Sequence, residues 1–480
     1  MRGKYRIFIN NEKVLLRIII EKNRRIENFF VYKPDFGPEI GNIYKGRVEK
    51  ILPSINAAFV NIGESKSGFL QFDKQEFYYY DEYTKNLFYS RTYRPDEEIL
   101  VQICKPQEGE KSPKVTEEIM IPGRYFVLIP NAKIQKISRK IKNRKERERL
   151  IKIFKKNIGQ NIGFIIRTAA KVEKEDYIYR EIKYLLNVWK KIKRDFKKNK
   201  APFLLWRELP LYLKVLRDYA NENFFSIEID DEFIYNEVLK YVNLFIPELK
   251  GKIYLYKSRV PMFINYGFEE EIENFISKKV FLPSGGYLII EKGETLTAID
   301  VNSGKIEGEN FEEVILKTNL EAADEIPRQI RCRNIGGVII VDFVDMKNEY
   351  KKKVFKRFIK NLKEDKSKLN VLFISKLGLV EMCREKNDYS IYSLLLRECE
   401  DCNGSGILKD NGLIFFDLRK KIFEYFKNNP YNKIEILLSP LLYEFIFKNQ
   451  LFKNFLFSDR IRIKLSPEFG RDEFKIIEMG

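Results

Sequence analysis

The chain of 480 residues contains no histidine. That excludes serine–histidine–aspartate triads, paired-histidine ribonuclease chemistry and every histidine-ligated metal. Any catalysis must rest on carboxylates with a metal, on lysine or on cysteine. Cysteine is scarce as well: Cys104, Cys332, Cys383, Cys399 and Cys402. Three of these are scattered, as expected in a reducing compartment where disulfide frameworks are rare. No apolar run is long enough for a membrane helix, and Arg17 interrupts the stretch Val14–Ile20. No basic leader precedes an apolar core and a cleavage site, so no secretory signal is expected. The expectation is a soluble, cytoplasmic protein without a membrane span.

Positive charge is in excess. Lys and Arg number 88 against 69 Asp and Glu, a net charge of +19 that favours anionic partners, nucleic acid first. Ile, Lys, Asn, Phe and Tyr are all abundant, a bias that AT-rich coding DNA produces, so part of the lysine belongs to solvated faces. A hydrophobic content of 44% is enough to bury several cores.

Two stretches carry acids where strands should end. Leu296-Thr297-Ala298-Ile299-Asp300-Val301-Asn302-Ser303-Gly304 reads as a buried strand running into a tight turn. Asp300 and Asn302, two apart, share one face of an extended chain. Gly337-Val338-Ile339-Ile340-Val341-Asp342-Phe343-Val344-Asp345 is an unbroken β-branched run, the pattern of a strand covered on both faces. Brought together, Asp300, Asn302 and Asp342 make an all-oxygen pocket suited to Mg²⁺, which keeps several waters and takes one or two carboxylates. Asp345 is out of phase and a weaker candidate. The competing reading makes each acid a turn former or helix cap.

Three further stretches stand out. Gly41–Val48, Ala57–Gly63 and Ser67–Leu70 are short strands with glycine at the corners, fitting a small closed barrel. Phe59 and Phe69 flank a turn there, with Lys45, Lys66 and Lys111 nearby, so bases could stack while the backbone is neutralised; both rings could equally be core. Ile162–Ala170 holds a strand ending in Arg167-Thr168, a guanidinium fork beside a hydroxyl that can hold a phosphate, or an ordinary surface arginine beside a capping threonine. Cys399-Glu400-Asp401-Cys402-Asn403-Gly404-Ser405-Gly406 has the spacing of half a tetrahedral zinc site, against a redox pair or two idle thiols. One chain offers no second such pair, so a closed site needs two chains and a two-fold dimer. Charged helices are expected from about Ser138 to Asn157 and from about Lys174 to Lys200, the second solvated.

These motifs, with Thr318–Gln329 and Lys376-Leu377-Gly378-Leu379-Val380-Glu381-Met382, stand in an order that resembles the ribonuclease E/G family. Lacking a long Arg/Pro-rich tail, the chain is more similar to the G branch. The resemblance implies a multidomain α/β and α+β chain. A ribonuclease H-like domain (residues 1–37 and 211–280) is interrupted by an S1-type OB barrel (39–120) and a 5′-sensor region (121–215). A deoxyribonuclease I-like catalytic domain (281–398), a zinc-link (399–410) and a small C-terminal α+β domain (411–480) follow.

The resemblance also implies roles. Asp300 and Asp342 hold Mg²⁺, and Asn302 orients Asp300 or a water. Phe59, Phe69 and Lys111 bind RNA, and Arg167 with Thr168 senses a 5′-monophosphate. Cys399 and Cys402 share one structural Zn²⁺ between subunits of a homodimer, with Glu400 and Asp401 a departure from the family's usual proline after the first cysteine. Pairing of dimers into a homotetramer is left open. The expected activity is an Mg²⁺-dependent endoribonuclease on single-stranded RNA, acting on rRNA precursors or mRNA and leaving 5′-phosphate and 3′-hydroxyl ends. A non-catalytic S1-type RNA-binding scaffold is the alternative, and a thiol-redox protein built on Cys399 and Cys402 the third reading.

Overall fold

The computed structural model describes residues 5–34, 36–71, 93–107, 111–159, 161–171, 174–221, 223–304, 311–375, 378–386, 388–399, 402, 404, 406–453, 455–470 and 473–479. Lys376, Leu377, Glu400, Asp401, Asn403 and Ser405 lie outside them. The chain divides into two compact units, Met1–Leu395 and Leu396–Gly480.

The first unit opens with an antiparallel meander of β1 (Tyr5–Glu12), β2 (Leu15–Lys22) and β3 (Arg25–Tyr32). A barrel follows, from β4 (Ile43–Leu52), β5 (Ala57–Asn61), β6 (Gly68–Gln71), β7 (Glu98–Lys105) and β8 (Lys114–Thr116). It closes because β4 pairs with β7 as well as β5, which leaves no free edge among these strands. Its core is Val48, Ala58, Val60, Leu70, Val101 and Val115 with their neighbours.

A four-stranded sheet comes next: β9 (Ile121–Pro122), β10 (Phe126–Ile129), β11 (Gln135–Ile137) and, after α1 (Arg144–Ile158), β12 (Gly163–Ile166). The helix α1 begins six residues later than the charge pattern suggested, since residues 135–137 are used as a strand and Asn143 caps the helix by accepting from the Glu146 amide. The helix α2 (Glu175–Lys198) is not a solvated helix: Ile178, Ile182, Leu185 and Ile192 form a stripe buried against β10 and β12. β13 (Phe203–Trp206) then adds to the edge of the barrel through β4.

After α3 (Leu211–Tyr219), the strand β14 (Phe224–Ile229) pairs parallel with β1, so one five-stranded sheet draws on residues far apart in the chain. It is completed by β15 (Ile253–Leu255), with α4 (Glu232–Phe245) between, and followed by α5 (Met262–Asn265) and α6 (Phe268–Ile276).

The last sheet of the unit has six strands: β16 (Lys279–Phe281), β17 (Tyr287–Lys292), β18 (Leu296–Asn302), β19 (Gly337–Asp342), β20 (Leu369–Ile374) and β21 (Val380–Arg384). Only β18 and β19 run parallel, joined through α7 (Phe311–Cys332); α8 (Asn348–Leu362) precedes β20, and α9 (Ile391–Leu395) ends the unit. Ala322, Ile326 and Ile330 of α7 and Val354 and Phe358 of α8 pack on Ile299, Val301, Ile339 and Val341, one face of the sheet. Among the described residues the other face is open around the acids, with Asp300, Asp342 and Val338 exposed. This corrects the reading of β19 as a strand covered on both faces: Ile339 and Val341 are buried, whereas Val338 is 47% exposed.

The second unit holds α10 (Asn411–Asn428), β22 (Lys433–Leu438), α11 (Pro440–Lys448), β23 (Ile461–Leu465) and β24 (Phe474–Met479). Both helices share a core with Ile434, Ile436 and Leu438 of the central strand. No helix among the described residues is long and apolar enough to cross a membrane.

Candidate functional site

The acids meet through strand register. Asp300 of β18 and Asp342 of β19 are direct partners on adjacent parallel strands, and both are exposed. Adjacent strands lie about 5 Å apart, so the two carboxylates leave the open face of the sheet side by side. The Asn302 side chain donates from Nδ2 to Asp300 Oδ2 at 2.8 Å, which fixes the carboxylate's rotation. Partial burial raises the Asp342 carboxyl above its ordinary range, and the charges of Asp300 and Asp345 add to the effect. Negative charge thus concentrates where nothing within the described residues neutralises it.

The loops around the acids are pinned from below by α7. Asn319, fully buried, donates from Nδ2 to the Val344 carbonyl at 2.8 Å and accepts from the Val344 amide at 3.1 Å. Glu321 accepts from the Ser284 amide at 2.8 Å. Gly304 ends β18 at φ 72°, and a Cβ there would meet the Gly285 carbonyl oxygen at 2.6 Å. Only glycine satisfies both conditions. The donor set fits Mg²⁺: two carboxylates in register, one held by an amide, with solvent above. Among the described residues no group of three or more acid or thiol side chains is placed to hold a metal.

Phe59 and Phe69 are also register partners, across β5 and β6. Their rings lie 5.8 Å apart at 64°, half-buried and outside the barrel core. Lys111 is exposed, two residues before Pro113, whose carbonyl takes the Phe69 amide. Lys45 is elsewhere. It is 6% exposed and donates to the Phe196 and Asn199 carbonyls, with Glu98 at 2.6 Å, so it ties the barrel to the end of α2 instead of facing a ligand.

Arg167 follows β12 and both terminal nitrogens of its guanidinium already make a hydrogen bond. It donates to the Gly123 carbonyl at 2.7 Å and to Asp218 Oδ1 at 2.6 Å. Burial would lift the Asp218 carboxyl, but Arg217 and Arg167 outweigh it and keep it at about 2. Thr168 is exposed, its hydroxyl 2.9 Å from that of Ser138. Gly123 sits on Glu181, where a Cβ would come within 2.6 Å of the carboxylate. That carboxylate accepts the Arg124 and Tyr125 amides, and burial pushes it up to about 7. Sequence reasoning missed Ser138, Asp218 and Glu181, because each acts at long range and no local pattern marks it.

In the second unit Cys399 is exposed and Cys402 half-buried, and no described cysteine is in a disulfide. The Gly406 amide donates to Cys402 Sγ at 3.3 Å, and Gly404 and Gly406 both have positive φ, 79° and 69°. A backbone wrapped around a sulfur this way suits a thiolate metal ligand.

The Ribonuclease E/G family profile matches residues 120–387, more than half of the chain. The chain belongs to the ribonuclease E/G family. It is similar to Ribonuclease G of Escherichia coli (strain K12), 33% identical over 459 residues that span 92% of each chain. Ribonuclease G of Haemophilus influenzae is 32% identical over 457 residues, again 92% of each. Ribonuclease E of Escherichia coli (strain K12) is 32% identical over 432 residues, 87% of this chain but 40% of that one. The profile spans β18, α7 and β19, the elements that carry Asp300, Asn302, Asn319 and Asp342, and also Arg167 and Thr168.

Proposed function

We propose that this chain is an Mg²⁺-dependent endoribonuclease that hydrolyses single-stranded RNA, leaving 5′-phosphate and 3′-hydroxyl ends, in rRNA maturation or mRNA decay. Membership of the family makes it an endoribonuclease; the finer chemistry rests on one observation, the in-register pair Asp300–Asp342 on an open sheet face. A divalent ion bound there supplies charge neutralisation at the phosphate and a lowered pKa for water. The protein's own part is positional. Asn302 holds Asp300, Asn319 holds the backbone after Asp342, and the open face admits an RNA strand. Phe59 and Phe69 offer ring faces to bases, and Lys111 a charge to the backbone. The architecture that accompanies this reading is a ribonuclease H-like sheet (β1–β3, β14, β15), the S1-type barrel, a 5′-sensor layer and a deoxyribonuclease I-like catalytic layer.

Arg167 and Thr168 favour a 5′-monophosphorylated end. The test is cleavage of 5′-monophosphorylated and 5′-hydroxyl oligoribonucleotides in Mg²⁺, with product ends mapped. The phosphorylated substrate is expected to be cut faster. Thr168→Val and Arg167→Lys should each bring the rate ratio towards one, with Arg167→Lys costing roughly tenfold because a fork of charge-assisted hydrogen bonds is lost. Equal rates on both substrates in the wild type would remove the sensor role, and 2′,3′-cyclic products would remove the hydrolytic mechanism.

Cys399 and Cys402 supply half of a Cys₄ zinc site, completed by a second copy about a two-fold axis. Purified protein is expected to carry one zinc per two chains. Cys402→Ser or a strong chelator should turn a dimer into a monomer in sedimentation. A zinc-free dimer would overturn this.

A further inference from the structure

The open face of the catalytic sheet continues beyond the acids. In β16, Val280 is 4% exposed and enters the core, while Phe281 is 69% exposed and points to the opposite face with Lys279. Register then sets two rungs across the sheet. One runs Asp342–Asp300–Ile289–Lys279 and the next Asn302–Tyr287–Phe281. The Phe281 and Tyr287 rings lie 6.4 Å apart at 63°, and Lys279 Nζ sits 3.8 Å from the Tyr287 ring centre and 4.9 Å from that of Phe281. The neighbouring Lys278 is spent on an ion pair with Glu291, whereas Lys279 has no ion pair among the described residues.

We propose that Lys279, Phe281 and Tyr287 form a second RNA platform, on the catalytic sheet itself, which stacks a base flanking the scissile phosphate and binds that nucleotide's backbone. The proposal rests on the endoribonuclease reading. An apolar ring this exposed, beside another ring and under an ammonium, does nothing for the core beneath it. It does match a nucleotide, which has a flat π-face and an anion attached. Its position agrees. Phe281 is two strand spacings, about 10 Å, from Asn302 on the same face. The acid pair repels RNA, so a cation one rung's length away offsets that repulsion where the strand must approach. Continuity with the acids and charge complementarity favour RNA over a second copy of the chain as the occupant.

The experiment walks a single abasic nucleotide along a 5′-monophosphorylated oligoribonucleotide. Binding is measured by anisotropy in an Asp300→Asn background, and KM and kcat in the wild type. One flanking position is expected to weaken binding roughly tenfold when its base is removed. Phe281→Ala should cost the same on intact RNA, and lose nothing more on the abasic one. Lys279→Gln should reduce the slope of log Kd on log salt by ~0.7. Phe281→Leu keeps an apolar residue at the same exposed position, so an unchanged thermal midpoint shows that the loss is not unfolding. An abasic profile identical in wild type and Phe281→Ala overturns the platform. So does a Phe281→Ala protein that changes only its sedimentation, which would make this face a contact between copies. Failure of the wild type to cut any substrate in Mg²⁺ would instead sink the nuclease reading, while the binding arm still decides the platform.

Discussion

Replacing Asp300 or Asp342 with asparagine is expected to slow RNA cleavage in Mg²⁺ by ~10³-fold or more. The magnitude follows from losing several kcal/mol of charge stabilisation at the reacting phosphate, with each 1.36 kcal/mol worth about tenfold. Folding should survive. Both side chains are exposed, and neither forms an ion pair among the described residues. Neighbouring like charges on paired strands repel, so removing one should leave the thermal midpoint unchanged or raise it slightly without metal. RNA binding should also persist, because the barrel aromatics and the basic surface are untouched. Asn302→Ala is the weaker companion, at roughly 10- to 100-fold, since it orients a ligand and is not one. Cleavage rate, anisotropy and thermal melting, read on the same preparations, check all three. Wild-type rates in both aspartate variants would leave a basic RNA binder without this catalytic site.

The strand ends were legible in the sequence for a physical reason. Alternation in Leu296–Asn302 and the β-branched run in Gly337–Asp342 mark extended chain, and an i, i+2 spacing places Asp300 and Asn302 on one face whatever the fold. What could not be read locally was register. That Asp300 faces Asp342, or that Tyr5–Ile9 pairs with Phe224–Ile229, depends on contacts between distant segments. Composition misled in two places. Dense lysine hid the narrow apolar stripe of α2, and a β-branched run suggested two covered faces where helices cover only one. In Lys279-Val280-Phe281-Leu282 three apolar residues follow one another, so polarity left the outward direction of Phe281 unmarked, and the burial of Val280 and Leu282 fixes it.

The ionic contacts were the least legible part, and the second large effect is expected there. Glu325 of α7 is 4% exposed. It accepts from Arg328 at 2.6 and 3.1 Å and from Gln329 at 2.7 Å, and it pairs with Arg25 at the start of β3. Arg328, 7% exposed, reaches the Ile26 carbonyl at 2.9 Å and Glu271 of α6, and its guanidinium lies 5.2 Å from the Phe275 ring centre. Arg331, one turn on, meets Glu27 at 2.8 Å. Positions 325, 328 and 331 therefore line one face of the helix that also holds Asn319 and Glu321 under the acids. Glu325→Leu leaves a buried guanidinium short of its main partner, a loss of about 3–5 kcal/mol. In thermal melting this corresponds to a drop of roughly 10 °C in the transition of the first unit. The double variant Glu325→Leu with Arg328→Met removes both charges, and should recover most of that loss, because the desolvation cost disappears with the pair. The catalytic rate well below the melting transition should change little in the double variant. Additive losses in the two single variants, or a single loss below about 1 kcal/mol, would show that the contacts are solvent-screened and that apolar packing alone fixes α7 against β3.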